Sequence, residues 1–146
     1  MNLNDQPTAR GALNIKLFDE NGSLKAERDI DNLLVTTGLA WMAARFVGTP
    51  TAMSHMAVGS GVVAPALANT TLGTELGRAV LTAQTSATNV STFSSTFAAG
   101  VGTGAVTEAG IFNAAAAGTM LNRATFAVMN KGALDVMQIN WTVTQN

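Results

Sequence analysis

Leu134-Asp135-Val136-Met137-Gln138-Ile139-Asn140-Trp141-Thr142-Val143-Thr144 reads as a strand with two unlike faces. Met137, Ile139, Trp141 and Val143 alternate with Gln138, Asn140, Thr142 and Thr144, a period of two that sends one set into a core and leaves the other wet or shared. Working back from this stretch, strand-like pieces recur at residues 120–128, 106–112, 89–97 and 78–85. They are separated by Asn130-Lys131-Gly132, by residues 113–118 and by Gly100, Gly102 and Gly104. Near the start, Leu13, Ile15 and Leu17 alternate with Asn14 and Lys16, and Asp19-Glu20-Asn21-Gly22-Ser23 supplies a turn built on Asn-Gly. Residues 24–30 alternate again, so 12–30 form a charged hairpin. Residues 53–58 make a further strand that ends in Gly59-Ser60-Gly61.

One segment reads as a helix. After the apolar residues 32–36, Thr37-Gly38 marks a start, Leu39, Met42, Ala43, Phe46 and Val47 fall at helical spacing, and Gly48-Thr49-Pro50 stops the run. Trp41 and Phe46 are expected in the core, because a single amphipathic helix must bury its apolar stripe against the sheet. About eight short strands and one short helix predict a mainly β fold, an antiparallel β-sandwich or jelly-roll-like body. Residues 1–10 are expected to be a flexible N-terminal arm and 11–146 a single β-rich domain. The segment from Val62 to Leu76 has no strict period and reads as a long surface connection, a kind of loop that often carries function.

The 146 residues carry eight basic and nine acidic side chains, a formal charge of −1. This balance offers no electrostatic footprint for nucleic acid or for an anionic membrane surface. No apolar run approaches the length of a membrane span and the polar start MNLNDQPTAR has no apolar signal core, so a soluble chain made in a cytoplasm is expected. Charge is concentrated in the first 31 residues; beyond them stand only Arg45, Glu75, Arg78, Glu108, Arg123, Lys131 and Asp135. A surface this neutral, rich in Ala, Thr, Ser, Val and Gly, suits contact with other protein, since interface cores are depleted of charge.

The side chains of acid–base and nucleophilic chemistry are scarce: one His, no Tyr and no Cys. His55 lies within a predicted strand beside Met53 and Met56, where a lone histidine is far more often packed than catalytic. Gly59-Ser60-Gly61 has the spacing of neither a nucleophile elbow nor a phosphate cradle and reads as a turn. Glu75, Glu108 and Asp135 are isolated in sequence, so a glycosidase pair would have to be assembled by folding. Without Cys and with one His, a zinc site is not expected. Asn69-Thr70-Thr71, Asn89-Val90-Ser91 and Asn140-Trp141-Thr142 match the glycosylation sequon by chance in a chain rich in Ser and Thr. No catalytic residue, cofactor site or metal site is assigned, and the expectation is a protein that is not an enzyme.

Several segments, in order, resemble a widespread set of small tailed-bacteriophage virion proteins. They are Asn32-Leu33-Leu34-Val35-Thr36-Thr37-Gly38-Leu39, Met56-Ala57-Val58-Gly59-Ser60-Gly61 with Ala64-Pro65 behind it, Glu108-Ala109-Gly110-Ile111-Phe112-Asn113 and Gly118-Thr119-Met120-Leu121-Asn122-Arg123, closed by the strand Ile139 to Thr144. The resemblance covers residues 11–144. It implies a virion component: a capsid decoration (cement) protein, or part of a tail fibre or baseplate that binds a receptor. In the first case the partners would be the major capsid protein and further copies of the chain, as a homodimer or homotrimer, on the capsid surface. The residues expected to reach neighbours are Asn2 and Leu3 in the arm and Val62, Val63, Pro65, Leu67 and Leu72 in the loop. A receptor-binding module would be favoured by Trp41 or Trp141 exposed on a concave surface, and a glycan-active enzyme by two carboxyl groups facing each other in a cleft.

Overall fold

The computed structural model describes residues 9–145. In chain order these form β1 (Ala9–Phe18), β2 (Leu24–Leu34), α1 (Thr36–Ala44), β3 (His55–Gly59), β4 (Glu75–Ala87), β5 (Val90–Phe97), β6 (Gly104–Phe112), β7 (Met120–Lys131) and β8 (Val136–Gln145). The fold is mainly β with one short helix, as expected, but it is neither a sandwich nor a jelly roll. The strands close into an antiparallel barrel in the order β1-β2-β7-β6-β3-β4-β5-β8, with β8 returning to β1. The closing ladder runs unbroken from Ala9 opposite Gln145 to Phe18 opposite Val136.

The difference comes from strands that serve two neighbours in turn. The first part of β4 pairs with β3, from Glu75 opposite Gly59 to Val80 opposite His55, and its second part pairs with β5, from Leu81 opposite Ser95 to Ala87 opposite Val90. A bulge between Leu81 and Ala83 marks the change. Similarly, β2 lies along β1 for most of its length and meets β7 only through Leu33 opposite Arg123 and Leu34 opposite Asn122. Strands that pass from one half-sheet to the other through a bulge or bend make corners, and here the corners close the sheet on itself. Alternation defines the two faces of each strand but says nothing about where a strand exchanges one neighbour for another.

An eight-stranded barrel is just wide enough to be filled by side chains. Trp141 lies opposite Leu13 on one side and Phe93 on the other, and with Ile15, Leu17, Met56, Val58, Phe97, Val106, Ile111, Met137 and Ile139 it fills the interior. The outward set on the charged hairpin includes Lys16, Glu27 and Asp29, the reverse of a lipid-facing barrel, whose apolar band points outward. No helix among the described residues is long and apolar enough to cross a membrane. The Trp141 indole N–H donates to Asn32 Oδ1 at 2.7 Å, and a side chain larger than that of Gly11 would displace the Asn32 amide. That glycine is therefore required by close approach.

The helix docks by its first turn. Gly38 lies against the backbone carbonyl of Leu121, where any Cβ would collide, and the Thr37 hydroxyl donates to the Met120 carbonyl at 2.9 Å. Because α1 ends at Ala44, Phe46 and Val47 fall in the following turn and are 90% and 92% exposed. The expected burial of Phe46 is thus incorrect, while Trp41 is half-buried and packs against the barrel core. The helix is held by the Gly38 contact and the Thr37 hydrogen bond at its start and by Trp41 and Met42, which pack against the barrel core, while the apolar positions beyond its end stay exposed.

A second, smaller cluster lies outside the barrel wall. Val35, Ala57, Leu72, Phe112 and Met120 pack together where residues 60–74 cross the outer face of β3, β6 and β7.

Candidate functional site

The most ordered polar feature is the Glu108–Arg123 pair beneath the loop of residues 60–74. Glu108, on β6, is fully buried, and Arg123, on β7, almost so. Arg123 donates twice to Glu108 Oε2, from Nε at 3.0 Å and Nη2 at 2.8 Å. The backbone N–H groups of Gly61 and Thr74 donate to Oε1, both at 2.8 Å, and that of Gly73 to Oε2 at 2.9 Å. Arg123 Nη1 reaches on to Asn69 Oδ1 at 3.0 Å, which also accepts the Ala66 N–H. Both ends and the middle of the loop are thereby tied to two neighbouring strands.

Burial pushes the Glu108 carboxyl up, but the N–H groups of Thr74 and Gly73, the Arg123 guanidinium and the Gly61 N–H outweigh it and hold the group below the ordinary carboxylate range. An anion satisfied by five donors and shut away from water is suited to clamping chain segments, not to exchanging protons with a substrate. The glycines make the clamp possible: a Cβ at Gly59 or Gly61 would run into the Glu108 carboxylate. The turn expected at Gly59-Ser60-Gly61 is not formed: Gly59 ends β3, the Ser60 N–H donates to the Thr74 carbonyl at 2.9 Å, and the two glycines make room for an anion.

The clamp presents rather than hides part of the loop. Val62, Val63 and Leu67 are 79%, 76% and 55% exposed, and Pro65 is half-buried. Leu72 points the other way. It is buried against Gly110 and Phe112, so its expected role in contacting neighbours gives way to one in anchoring the loop. Asn2 and Leu3 lie outside the described residues; Ala9 and Arg10, expected in the arm, belong to β1. The Leu67 carbonyl accepts the Thr36 N–H at 2.9 Å, so the loop also satisfies a free donor at the start of α1.

The three isolated acids are each paired with a different cation. Glu75 forms a bidentate pair with Arg78, whose guanidinium also stacks 3.9 Å from the Phe112 ring and donates to the carbonyls of Ala114 and Ala117. Asp135 accepts from Lys25 Nζ at 2.6 Å. The hydrogen bond from Lys25, and next that from the Gly132 N–H, hold its carboxyl below the usual range. Lys131 is buried at the same end and donates to the carbonyls of Ala98 and Asp135; burial lowers its pKa. His55 is half-buried at the start of β3 with Nδ1 2.8 Å from the Ser54 hydroxyl. Among the described residues no group of three or more His, Cys, Asp or Glu is arranged to hold a metal ion.

A groove of about 440 Å³ opens at one mouth of the barrel. Trp41, Met42, Arg45 and Phe46 line one side and Gln84, Thr85, Ser86, Ser91 and Phe93 the other. Arg45 lies over the Trp41 ring, 5.4 Å from its centre, and the Trp41 indole N–H is bonded to the Thr51 carbonyl. Trp141 is completely buried.

Comparison with known proteins found no matching family model, no matching curated protein and no matching solved structure.

Sequence reading did not find the clamp, although its signals were present. Glu108 and Arg123 are single charges inside otherwise apolar strands, a costly placement unless they are paired. The segments that carry the phage resemblance also converge here: Met56 to Gly61, Glu108 to Asn113 and Gly118 to Arg123 supply the clamp, its glycines and its two strands.

Proposed function

We propose that the protein is a non-enzymatic structural component of a tailed-phage virion, a capsid decoration (cement) protein that stabilises the head shell through protein–protein contacts. The observation that carries this reading is the loop of residues 60–74, pinned by Glu108 so that Val62, Val63 and Leu67 point outward on a rigid mount. Holding apolar side chains in place before contact removes an ordering cost from each association. Many modest contacts repeated by symmetry then add through avidity. The partners in this reading are the major capsid protein and other copies of the chain.

Quantifying the protein in purified particles and locating it by labelling tests the proposal. Hundreds of copies over the head shell are expected; a handful at the tail would overturn it. Raising the salt concentration moderately should leave the protein attached, because uncharged contacts are only weakly screened.

A second reading, a receptor-binding module of a tail fibre or baseplate, is favoured by one observation. Trp41 is partly exposed in a concave groove with Arg45 stacked on it. Tail-only labelling together with loss of host adsorption in Trp41→Ala particles would support that reading over the first.

A further inference from the structure

Strand switching leaves stretches of sheet edge without a ladder partner among the described residues. One pair lies along β2 at residues 24–32 and β7 at 124–131, which diverge beyond their two shared pairs. Ala26, Ile30 and Phe126 pack on the core there, and the β2 stretch carries Lys25, Glu27, Arg28, Asp29 and Asp31. Natural proteins guard open edges in this manner, with charges that oppose the approach of another strand.

The other stretch is residues 82–87 of β4. It is bonded to β5 on one side, while β3, which would continue the sheet on the other, begins only at His55 opposite Val80. Every residue from Thr82 to Asn89 is exposed, and no charged residue occurs between Arg78 and Glu108. Residues 82–87 carry no charge that would repel another strand, and Arg45, across the groove, is stacked on Trp41. Beside this edge the groove presents Phe46, with Val47 next in the chain.

We propose that residues 82–87 of β4 pair with the same residues of a second copy, antiparallel across a two-fold axis, so that the protein is a dimer joined by a continuous sheet. An antiparallel edge is its own complement under two-fold symmetry, which a parallel edge is not. Neutrality favours the same partner: a strand bearing charges would leave them facing an uncharged surface, whereas a second β4 brings Thr, Ala, Gln and Ser to meet Thr, Ala, Gln and Ser. Added main-chain bonds would supply the affinity, and Phe46 and Val47 would gain cover from the second copy. The inference deepens the coat-protein reading by naming the contact between copies. Its test uses the isolated protein, so a failure here is separate from a failure to bind particles.

Sedimentation velocity of the wild-type chain should show a dimer with Kd below about 100 μM. Gln84→Lys/Ser86→Lys should weaken it at least about 100-fold through like charges placed opposite one another. Circular dichroism and the thermal midpoint should stay those of a folded barrel. Mixing this variant with Gln84→Glu/Ser86→Glu should restore a heterodimer, which a misfolded chain would not do. If the lysine pair unfolds the barrel, Thr85→Lys, on the opposite face of the ribbon, gives the same reading. A wild-type monomer at about 100 μM overturns the proposal. So does a lysine variant that still dimerises, or a dimer lost on removing residues 2–8, which would make that segment the occupant of the edge.

Discussion

The outer face of β3, β6 and β7 is covered by the chain's own loop, while among the described residues the far end of β4, in its ribbon with β5, is exposed from Thr82 to Ala87. On the covered wall, charge is buried and fully bonded, with Glu108 and Arg123 drawing Gly61, Asn69, Gly73 and Thr74 down onto the strands. On the bare ribbon there is no charge between Arg78 and Glu108. The charged edge of β2 shows that this chain does guard an open strand elsewhere. The difference teaches that the loop is fixed where movement would uncover the wall, and that the neutral ribbon is the edge a second copy covers in the proposed dimer.

Removing the clamp should break this comparison most strongly. Glu108→Gln leaves Arg123 buried beside a neutral amide and is expected to cost about 3 to 5 kcal/mol in urea unfolding. The fold lowers the Glu108 pKa, so the ionised clamp contributes fully above the ordinary value of 4.5 and its contribution fades as pH falls through the lower folded-state value. The gap between wild type and variant should therefore be widest near neutrality and narrow below pH 4.5. A gap that does not change with pH would contradict the clamp.

The ribbon half is anchored from inside by Trp141, opposite Phe93 of β5. Trp141→Phe removes its hydrogen bond and leaves Asn32, whose amide nitrogen already has no partner, without any side-chain partner. A loss of about 1 to 3 kcal/mol is expected by the same measurement. At the ribbon tip, Thr88 has φ of 54°, a left-handed conformation that costs a β-branched residue energy. Thr88→Gly should stabilise the fold by about 0.5 kcal/mol, read as a higher thermal midpoint. The smallest effect is expected on the crest of the loop. Val62→Ser/Val63→Ser should change stability by less than about 0.5 kcal/mol while, under the proposed capsid role, lowering occupancy on particles.

The strands were legible because their period of two is local: Met137 to Val143 declares its faces without reference to any other element. Closure into a barrel was not, because it depends on β1 meeting β8 and on β2 and β4 outrunning their first partners, relations between distant segments. The helix was found and Trp41 packs against the core, but the burial of Phe46 was misjudged, since the helix ends at Ala44. The candidate loop was visible as an aperiodic stretch, and Val62, Val63 and Leu67 do face outward. The side that Leu72 takes follows from Phe112, forty residues on, and the clamp from two strands that become neighbours only on folding.

Hydrogen exchange of the isolated protein, measured at dilute and at high concentration, tests most directly whether one wall is covered by its own chain and the other by a second copy. The amides of Gly61, Gly73 and Thr74 should be protected at both concentrations, and those amides of residues 82–87 that face away from β5 should gain protection only at the higher one. Fast exchange at Gly61, Gly73 and Thr74, or outward-facing amides of β4 that ignore concentration, would contradict it.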